Sequence, residues 1–256
     1  MTLIFAILLG MVQGLTEFLP VSSSGHLALF QNLNNNINVG FDVVVHLATL
    51  LAILAFFYED IFVILRDVFL LRTSSENFKF GIYIVIASIP AAVVGFLIRY
   101  VAEDAFSSLM LVGVGFVVSG FFLFIASFFS RAEELSFSSV SLIGLSQALA
   151  ILPGISRSGA TISSGIMAGL DKNKAMKFSF LLAIPAILGA SILEFGKISN
   201  LSYGVFMAGF ASAFVFGLLG MFVFTRYVSI ENFRYFAFYC WLLALVIFFM
   251  KSFAML

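Results

Sequence analysis

Apolar residues run in long blocks along this chain, and the polar ones gather in clusters between them. A membrane-spanning helix needs roughly 20 mostly apolar residues. Six blocks meet that length, at about 41–58, 80–98, 108–129, 178–195, 203–224 and 235–250. Two further apolar stretches, 3–33 and 140–170, are interrupted by Pro, Gly and Ser. About ten helical residues at 1.5 Å each reach only half of a ~30 Å hydrocarbon core. Each interrupted stretch therefore suits a re-entrant hairpin of helix, irregular turn and helix; the alternative is one broken spanning helix each. Irregular backbone at that depth needs protein or a water-filled cavity around it.

The two interrupted stretches can be laid on one another. "QGLTEFLPVSSSGHLAL" on "QALAILPGISRSGATIS" puts Gln13 on Gln147, Ser22 on Ser156, Ser24 on Ser158 and Gly25 on Gly159. An apolar span opening with Phe follows each, "FDVVVHLATLLAIL" and "FSFLLAIPAILGASIL". The expected fold is an all-α polytopic membrane protein of two repeats, each a hairpin plus three transmembrane helices. One membrane domain covers 1–256, with repeat one at about 1–130 and repeat two at about 138–256. A hairpin returns to its own side and three spans do not, so the second repeat is inverted. Inverted repeats place a site where broken helices meet inside the membrane.

Composition agrees. The chain is 62% hydrophobic and 10% charged, with a mean hydropathy of +1.15; a soluble domain is nearer a quarter charged. Net charge is zero, so no basic face points to nucleic acid. The single cysteine, Cys240, excludes an internal disulfide and a cysteine-rich metal site. "MTLIFAILLG" lacks a basic start and a cleavage site, so no removed signal peptide is expected. Basic residues test the topology. With the N-terminus on side one, side two receives Arg66, Arg72, Lys79, Arg131, Lys172, Lys174, Lys177, Arg226 and Arg234, nine in all. Side one receives three, Arg99, Lys197 and Lys251. The positive-inside rule makes side two cytoplasmic and both termini extracytoplasmic. Residues 59–79 read as a cytoplasmic connection with an amphipathic turn or two.

Against this apolar background the two hairpins carry the chemistry. Gln13 and Glu17, at i and i+4, share one helix face. A carboxylate at membrane depth costs about 2.5–3.5 kcal/mol and persists when paired, when lining a polar cavity or when working. Pro20 ends that helix. Ser22, Ser23 and Ser24 follow at a helix start, where hydroxyls cap free N–H groups and the dipole favours a phosphate. His26 is a candidate general acid, base or nucleophile. His46, mid-span in "VVVHLAT", reads as packing or an interhelical hydrogen bond. In "PGISRSGATIS", Arg157 is the basic residue placed deep, with a planar fork suited to phosphate oxygens. Ser156, Ser158 and Thr161 add hydroxyls, and Gly154 and Gly159 let backbone approach a ligand. In the empty state Arg157 can pair with Glu17. Together these groups fit phosphate-ester or diphosphate chemistry on a lipid-tethered substrate.

"QGLTEFLPVSSSGH" and "PGISRSGAT" closely resemble the two signature motifs of the undecaprenyl-diphosphatase family, and the likeness covers nearly the whole chain. The resemblance implies hydrolysis of undecaprenyl diphosphate to the monophosphate, recycling the lipid carrier of peptidoglycan synthesis, at a site open to the outer face of the bacterial plasma (inner) membrane. It implies a link to bacitracin resistance, with bacitracin competing for the substrate rather than the protein. The family's first motif is Glu or Gln, three residues, then Glu; Gln13 and Glu17 match. A divalent cation, magnesium or calcium, is implied, with Glu17 as its ligand or as base. Carried over by position, Ser23 and His26 are both nucleophile candidates and Arg157 clamps the phosphates. Gln13, Ser22, Ser24, Gly154, Ser156, Ser158 and Thr161 are the substrate-binding candidates.

Two readings compete. The other membrane lipid phosphatase type needs K-x6-R-P and an S-R followed, after five intervening residues, by a His; here that position after Arg157 is Ser163, and no K-x6-R-P occurs. A transporter or flippase of a prenyl phosphate would use the same inverted repeats and anion-binding groups. Small residues in "VGVGFVVSGFF" and "YGVFMAGF" allow close helix packing, either within one chain or in a homodimer.

Overall fold

The polar punctuation of the chain sets where its helices begin and end. In the computed structural model, which describes residues 1–34, 37–129 and 131–253 and side chains outside 99–107 and 199–200, Thr2 caps the first helix by accepting from Phe5 N. That helix, α1 (Leu3–Phe18), stops ahead of Pro20, with Leu19 held extended as a residue before proline must be. α2 (Ser23–Leu33) restarts behind Ser22. Asn38 caps α3 (Val39–Phe56) through Phe41 N, and α4 (Tyr58–Phe69), α5 (Glu76–Ser107) and α6 (Leu109–Ala126) follow. A second interrupted pair, α7 (Phe137–Leu149) and α8 (Arg157–Met167), breaks across Ala150–Ser156. α9 (Lys172–Glu194), α10 (Tyr203–Tyr227) and α11 (Phe233–Ser252) complete the fold.

Among the described residues six helical stretches are long and apolar enough to cross a membrane: Val39–Phe56, Glu76–Ile98, Leu109–Ala126, Lys172–Ile198, Tyr203–Tyr227 and Ile230–Ser252. They match the six apolar blocks, so the chain is an all-helical, multi-pass membrane protein. The largest difference in a boundary is at the fourth span. It starts at Lys172 rather than near 178, because Asp171 caps the N–H groups of Asn173 and Lys174 and the first turns carry lysines. The 59–79 connection holds a full three-turn helix, α4, rather than a turn or two. Behind it Asp67 accepts from Ser75 Oγ (2.6 Å), Asn77 Nδ2 (3.2 Å) and Arg66 Nε (3.2 Å), and the Ser75 bond above all holds its carboxyl down at about 2.

The basic residues assigned to side two gather at one end of the bundle. Lys177 pairs with Asp60 at 2.5 Å, Lys174 pairs with Glu134, and Lys172 donates to the Val228 carbonyl at the end of α10. Gly40, at the other end of α3, packs on the Lys197 carbonyl. The Arg99 side chain lies outside the described residues.

Each interrupted pair packs on a span from the other half of the chain. α1 lies along α10 and α7 along α5, while α6 pairs with α11 and α3 touches α9 and α10. Lipid tails are as apolar as leucine, so close contact rather than water exclusion holds such helices together. α1 and α10 meet through small residues: a Cβ added to Gly14 would lie 2.6 Å from the Ala213 carbonyl oxygen and 2.7 Å from Gly217 N. The small-residue stretches also pack within the chain, with Gly113 against Phe248, Gly120 against Trp241 and Gly209 against Phe41. Phe18 meets Phe180 edge-on at 5.3 Å, below the turn between α1 and α2.

Gly14→Leu must therefore separate two backbones, and overpacking of this kind costs about 1–3 kcal/mol or more. Gly189, which has nothing within 4 Å of an added Cβ, accepts the same change. Thermal unfolding in detergent checks both: a large drop in midpoint is expected for Gly14→Leu and little change for Gly189→Leu.

Candidate active site

The two broken helix pairs meet turn to turn. On α1, Gln13 Nε2 donates to Glu17 Oε2 at 2.9 Å, as the i, i+4 spacing requires. Ser22 caps α2 by accepting from Gly25 N (3.2 Å), which leaves Ser23 as the first helical residue. Its hydroxyl donates to Glu17 Oε2 at 2.6 Å. The second turn is built alike. Ser156 caps α8 through Gly159 N (3.0 Å), so Arg157 is the first helical residue. The flanking hydroxyls match as well: Ser22 and Ser24 Oγ lie 3.4 Å apart, Ser156 and Ser158 Oγ 3.3 Å.

Arg157 NH2 donates to Glu17 Oε1 at 2.5 Å, joining residues 140 positions apart. Both side chains are largely buried, at 16% and 6% exposure. Ser158 Oγ adds a second link, donating to the Leu19 carbonyl at 3.3 Å. Arg157 is braced from α9: its NH1 donates to the Ser179 carbonyl (3.2 Å). Ser179 Oγ is 2.6 Å from Thr161 Oγ1, which also bonds the Arg157 carbonyl. Glu17 thus accepts from a serine, a glutamine and an arginine. Its charge is matched by one guanidinium, the condition under which a buried carboxylate is tolerated.

A cavity of about 420 Å³ opens onto this pair. Glu17, Ser22, Ser23, Ser24, Ser156, Arg157 and Ser158 line it, together with apolar Leu27, Ile155 and Ile187. Gln13, His26, Gly154 and Thr161 stand behind that wall. Gly154 shapes the second turn with φ +81, a conformation that suits glycine, and the Val112 backbone leaves no room for a Cβ there. His26 is engaged at both nitrogens, Nδ1 at 2.8 Å from the Ser22 carbonyl and Nε2 at 2.7 Å from Tyr239 Oη.

Four residues at or around the site escaped the sequence reading. His46, read there as packing or an interhelical hydrogen bond, lines the cavity with Nε2 3.8 Å from Glu17 Oε2. Asp42, one turn before it, also lines the cavity and accepts from Gln31 Nε2 at 2.5 Å. The polar i, i+4 pair in an apolar span was the available signal, the same spacing that marked Gln13 and Glu17. Ser119 on α6 bridges the second turn, donating to the Gly154 carbonyl (3.1 Å) and accepting from Ser156 N (2.8 Å). Tyr239 carried no signal, since its partner is 213 residues away.

The geometry defines a class: a polytopic helical membrane protein with a buried, hydroxyl-rich cavity built around a carboxylate–guanidinium pair. The chain belongs to the family described as bacitracin resistance protein BacA, which matches residues 6–246. An undecaprenyl-diphosphatase of Thermosipho africanus is 41% identical over 247 residues, covering 95% of this chain and 98% of that protein. Another, of Methanococcus vannielii, is 37% identical over 248 residues, covering 95% and 98%. Undecaprenyl-diphosphatase 1 of Shouchella clausii is 37% identical over 266 residues, covering 97% and 96%.

Ser119→Ala removes the hydroxyl that satisfies two buried backbone groups of the Arg157 turn. Unmade buried hydrogen bonds cost about 1–3 kcal/mol each way. The expected outcome is a matching loss of stability in denaturant-titrated unfolding from mixed micelles, together with reduced site function.

Proposed function

We propose that this chain hydrolyses undecaprenyl diphosphate to undecaprenyl phosphate and inorganic phosphate, recycling the lipid carrier of peptidoglycan synthesis. One observation carries the reading: Ser23 Oγ donates to Glu17 while Arg157 holds the other carboxylate oxygen, on the wall of one cavity. The relatives bearing the undecaprenyl-diphosphatase name supply the substrate.

The diphosphate head displaces Glu17 from Arg157, whose planar fork takes phosphate oxygens instead. Hydroxyls of Ser22, Ser24, Ser156 and Ser158 and the N–H groups opening α2 and α8 receive the remaining charge, as helix starts do. Ser23 Oγ attacks the terminal phosphorus and passes its proton to Glu17 Oε2, already 2.6 Å away. The bond from phosphorus to the bridging oxygen breaks, and undecaprenyl phosphate leaves without needing a proton. Water then attacks the phosphoserine, Glu17 returns its proton to Ser23 Oγ, and phosphate departs with the water's oxygen. Ser23 is preferred to His26 as nucleophile because both His26 nitrogens are engaged and its ring stands off the cavity wall.

The resemblance brings a divalent cation, magnesium or calcium, and the donor set fits one. Glu17 faces the cavity, and the buried Gln13 Oε1 beside it lacks a hydrogen-bond partner. These oxygens would hold it together with substrate phosphate, a ligand set magnesium accepts. Among the described residues no group of three or more His, Cys, Asp or Glu could hold a metal without the substrate. When bound, the cation neutralises phosphate charge.

The chain forms one membrane domain of two inverted repeats, about 1–130 and 138–256. The matched Ser22 and Ser156 caps and the exchanged packing of α1 on α10 and α7 on α5 support that arrangement. α1–α2 and α7–α8 are then re-entrant hairpins entering from opposite faces. The basic end of the bundle is cytoplasmic, and the cavity and both termini face outward from the plasma membrane.

Phosphate release by purified protein in detergent tests the reading, since transport cannot be scored there; binding without release would make the chain a carrier. Arg157→Ala and Glu17→Ala should fold and lose release by orders of magnitude, and near-normal turnover in either removes the assignment. Rapid acid quench should trap a phosphoryl group on Ser23, absent from Ser23→Ala. Chelation should stop release, and restored magnesium or calcium should recover it.

A further inference from the structure

The two turns differ in one respect that their shared caps make visible. Ser156 has an ordinary φ of −70, but Ser22 sits at φ 63, a left-handed conformation that non-glycine residues avoid. Holding a residue there costs on the order of 1–3 kcal/mol and requires surrounding structure that over-determines it. That structure is His26. The Ser22 carbonyl accepts from both the backbone N (3.2 Å) and the ring Nδ1 (2.8 Å) of His26. The equivalent position of the unstrained turn is Ala160, with no ring at all.

The ring is held in its turn by residues from two distant helices. A carbonyl only accepts, so Nδ1 carries the proton and Nε2 is the acceptor of the Tyr239 hydroxyl at 2.7 Å. Tyr239, on α11, also stacks on the imidazole at 5.7 Å and 8°. Phe116, on α6, closes it edge-on at 5.5 Å and 82°. Tyr239 is half-exposed and outside the cavity wall, so it touches neither the reacting atoms nor the wall that faces them.

We propose that Tyr239 is a positioning residue for this reaction: through His26 it holds the strained Ser22 backbone that presents the Ser23 hydroxyl to Glu17. The inference rests on the phosphatase reading for its kinetic consequence but not for its structural one. Losing the Tyr239 hydroxyl frees the imidazole to rotate, Ser22 relaxes toward ordinary φ, and Ser23 Oγ leaves Glu17. Substrate binding by Arg157 and the second turn is untouched.

The test uses full-length protein in detergent with Tyr239→Phe, which keeps the stacked ring, and Tyr235→Phe on the same helix as control. Tyr239→Phe should lower kcat roughly tenfold, with a smaller rise in KM as the Ser22 contacts to the phosphates loosen, and Tyr235→Phe should leave both unchanged. In a His26→Asn background Tyr239→Phe should cost nothing further. Hydrogen–deuterium exchange over Val21–Leu27 should quicken severalfold in Tyr239→Phe, whether or not the protein releases phosphate. Unchanged exchange, an unchanged kcat in an active protein, or additive losses in the double variant would each overturn the proposal. Failure of the wild type to release phosphate sinks the phosphatase reading alone, because the exchange measurement still decides this one.

Discussion

The contact between Glu17 and Arg157 organises this molecule. Each charge is expensive inside a membrane protein, and each is tolerated because the other is within hydrogen-bond reach. Removing one partner from such a pair leaves an unmatched buried charge, worth about 3–5 kcal/mol. The pair also joins two chain segments that share no sequence neighbourhood, so it forms only when α1 and α8 come together. Ser23, Gln13 and Ser179 then take the hydrogen bonds that the pair leaves over.

Around that pair, α6 serves both turns. Phe116 lies against the His26 ring of the first, and Ser119 one turn on bonds the backbone of the second. Gly115, next to Phe116, lies beneath the Pro153 and Gly154 backbone, where a side chain would collide. One helical face thus sets the separation of the two turns. α11, packed along α6, extends the frame through Tyr239 and Trp241, whose indole N–H donates to the Val117 carbonyl at 3.1 Å. The irregular backbone of both turns is wrapped in protein or opens on the cavity.

The fold was largely legible because membrane helices obey a simple length rule. The six spans and the two interrupted stretches could be read from runs of apolar residues and the placement of Pro20 and Pro153. The start of α9 was not, because Lys172, Lys174 and Lys177 are helical yet polar, and hydropathy sees only the latter. At the site, Gln13, Glu17, Ser23 and Arg157 stood out as polar groups with no other reason to be in apolar surroundings. His46 did not, since a lone histidine in a span has an ordinary packing explanation until Glu17 is placed beside it. Ser119 and Tyr239 were invisible in principle. A serine or tyrosine in a transmembrane helix is unremarkable in sequence, and only the tertiary arrangement gives it a partner.

The two capped turns carry one last consequence. Ser23 and Arg157 occupy the same station, the residue directly after a serine cap at the head of a short helix. Two identical turns would face each other with two hydroxyls or two cations, and neither set could transfer a phosphoryl group. The matched turns instead set a hydroxyl opposite a guanidinium, with the Glu17 carboxylate between them. The two matched turns supply the place, and the different residues that follow their serine caps give it two chemically unlike sides.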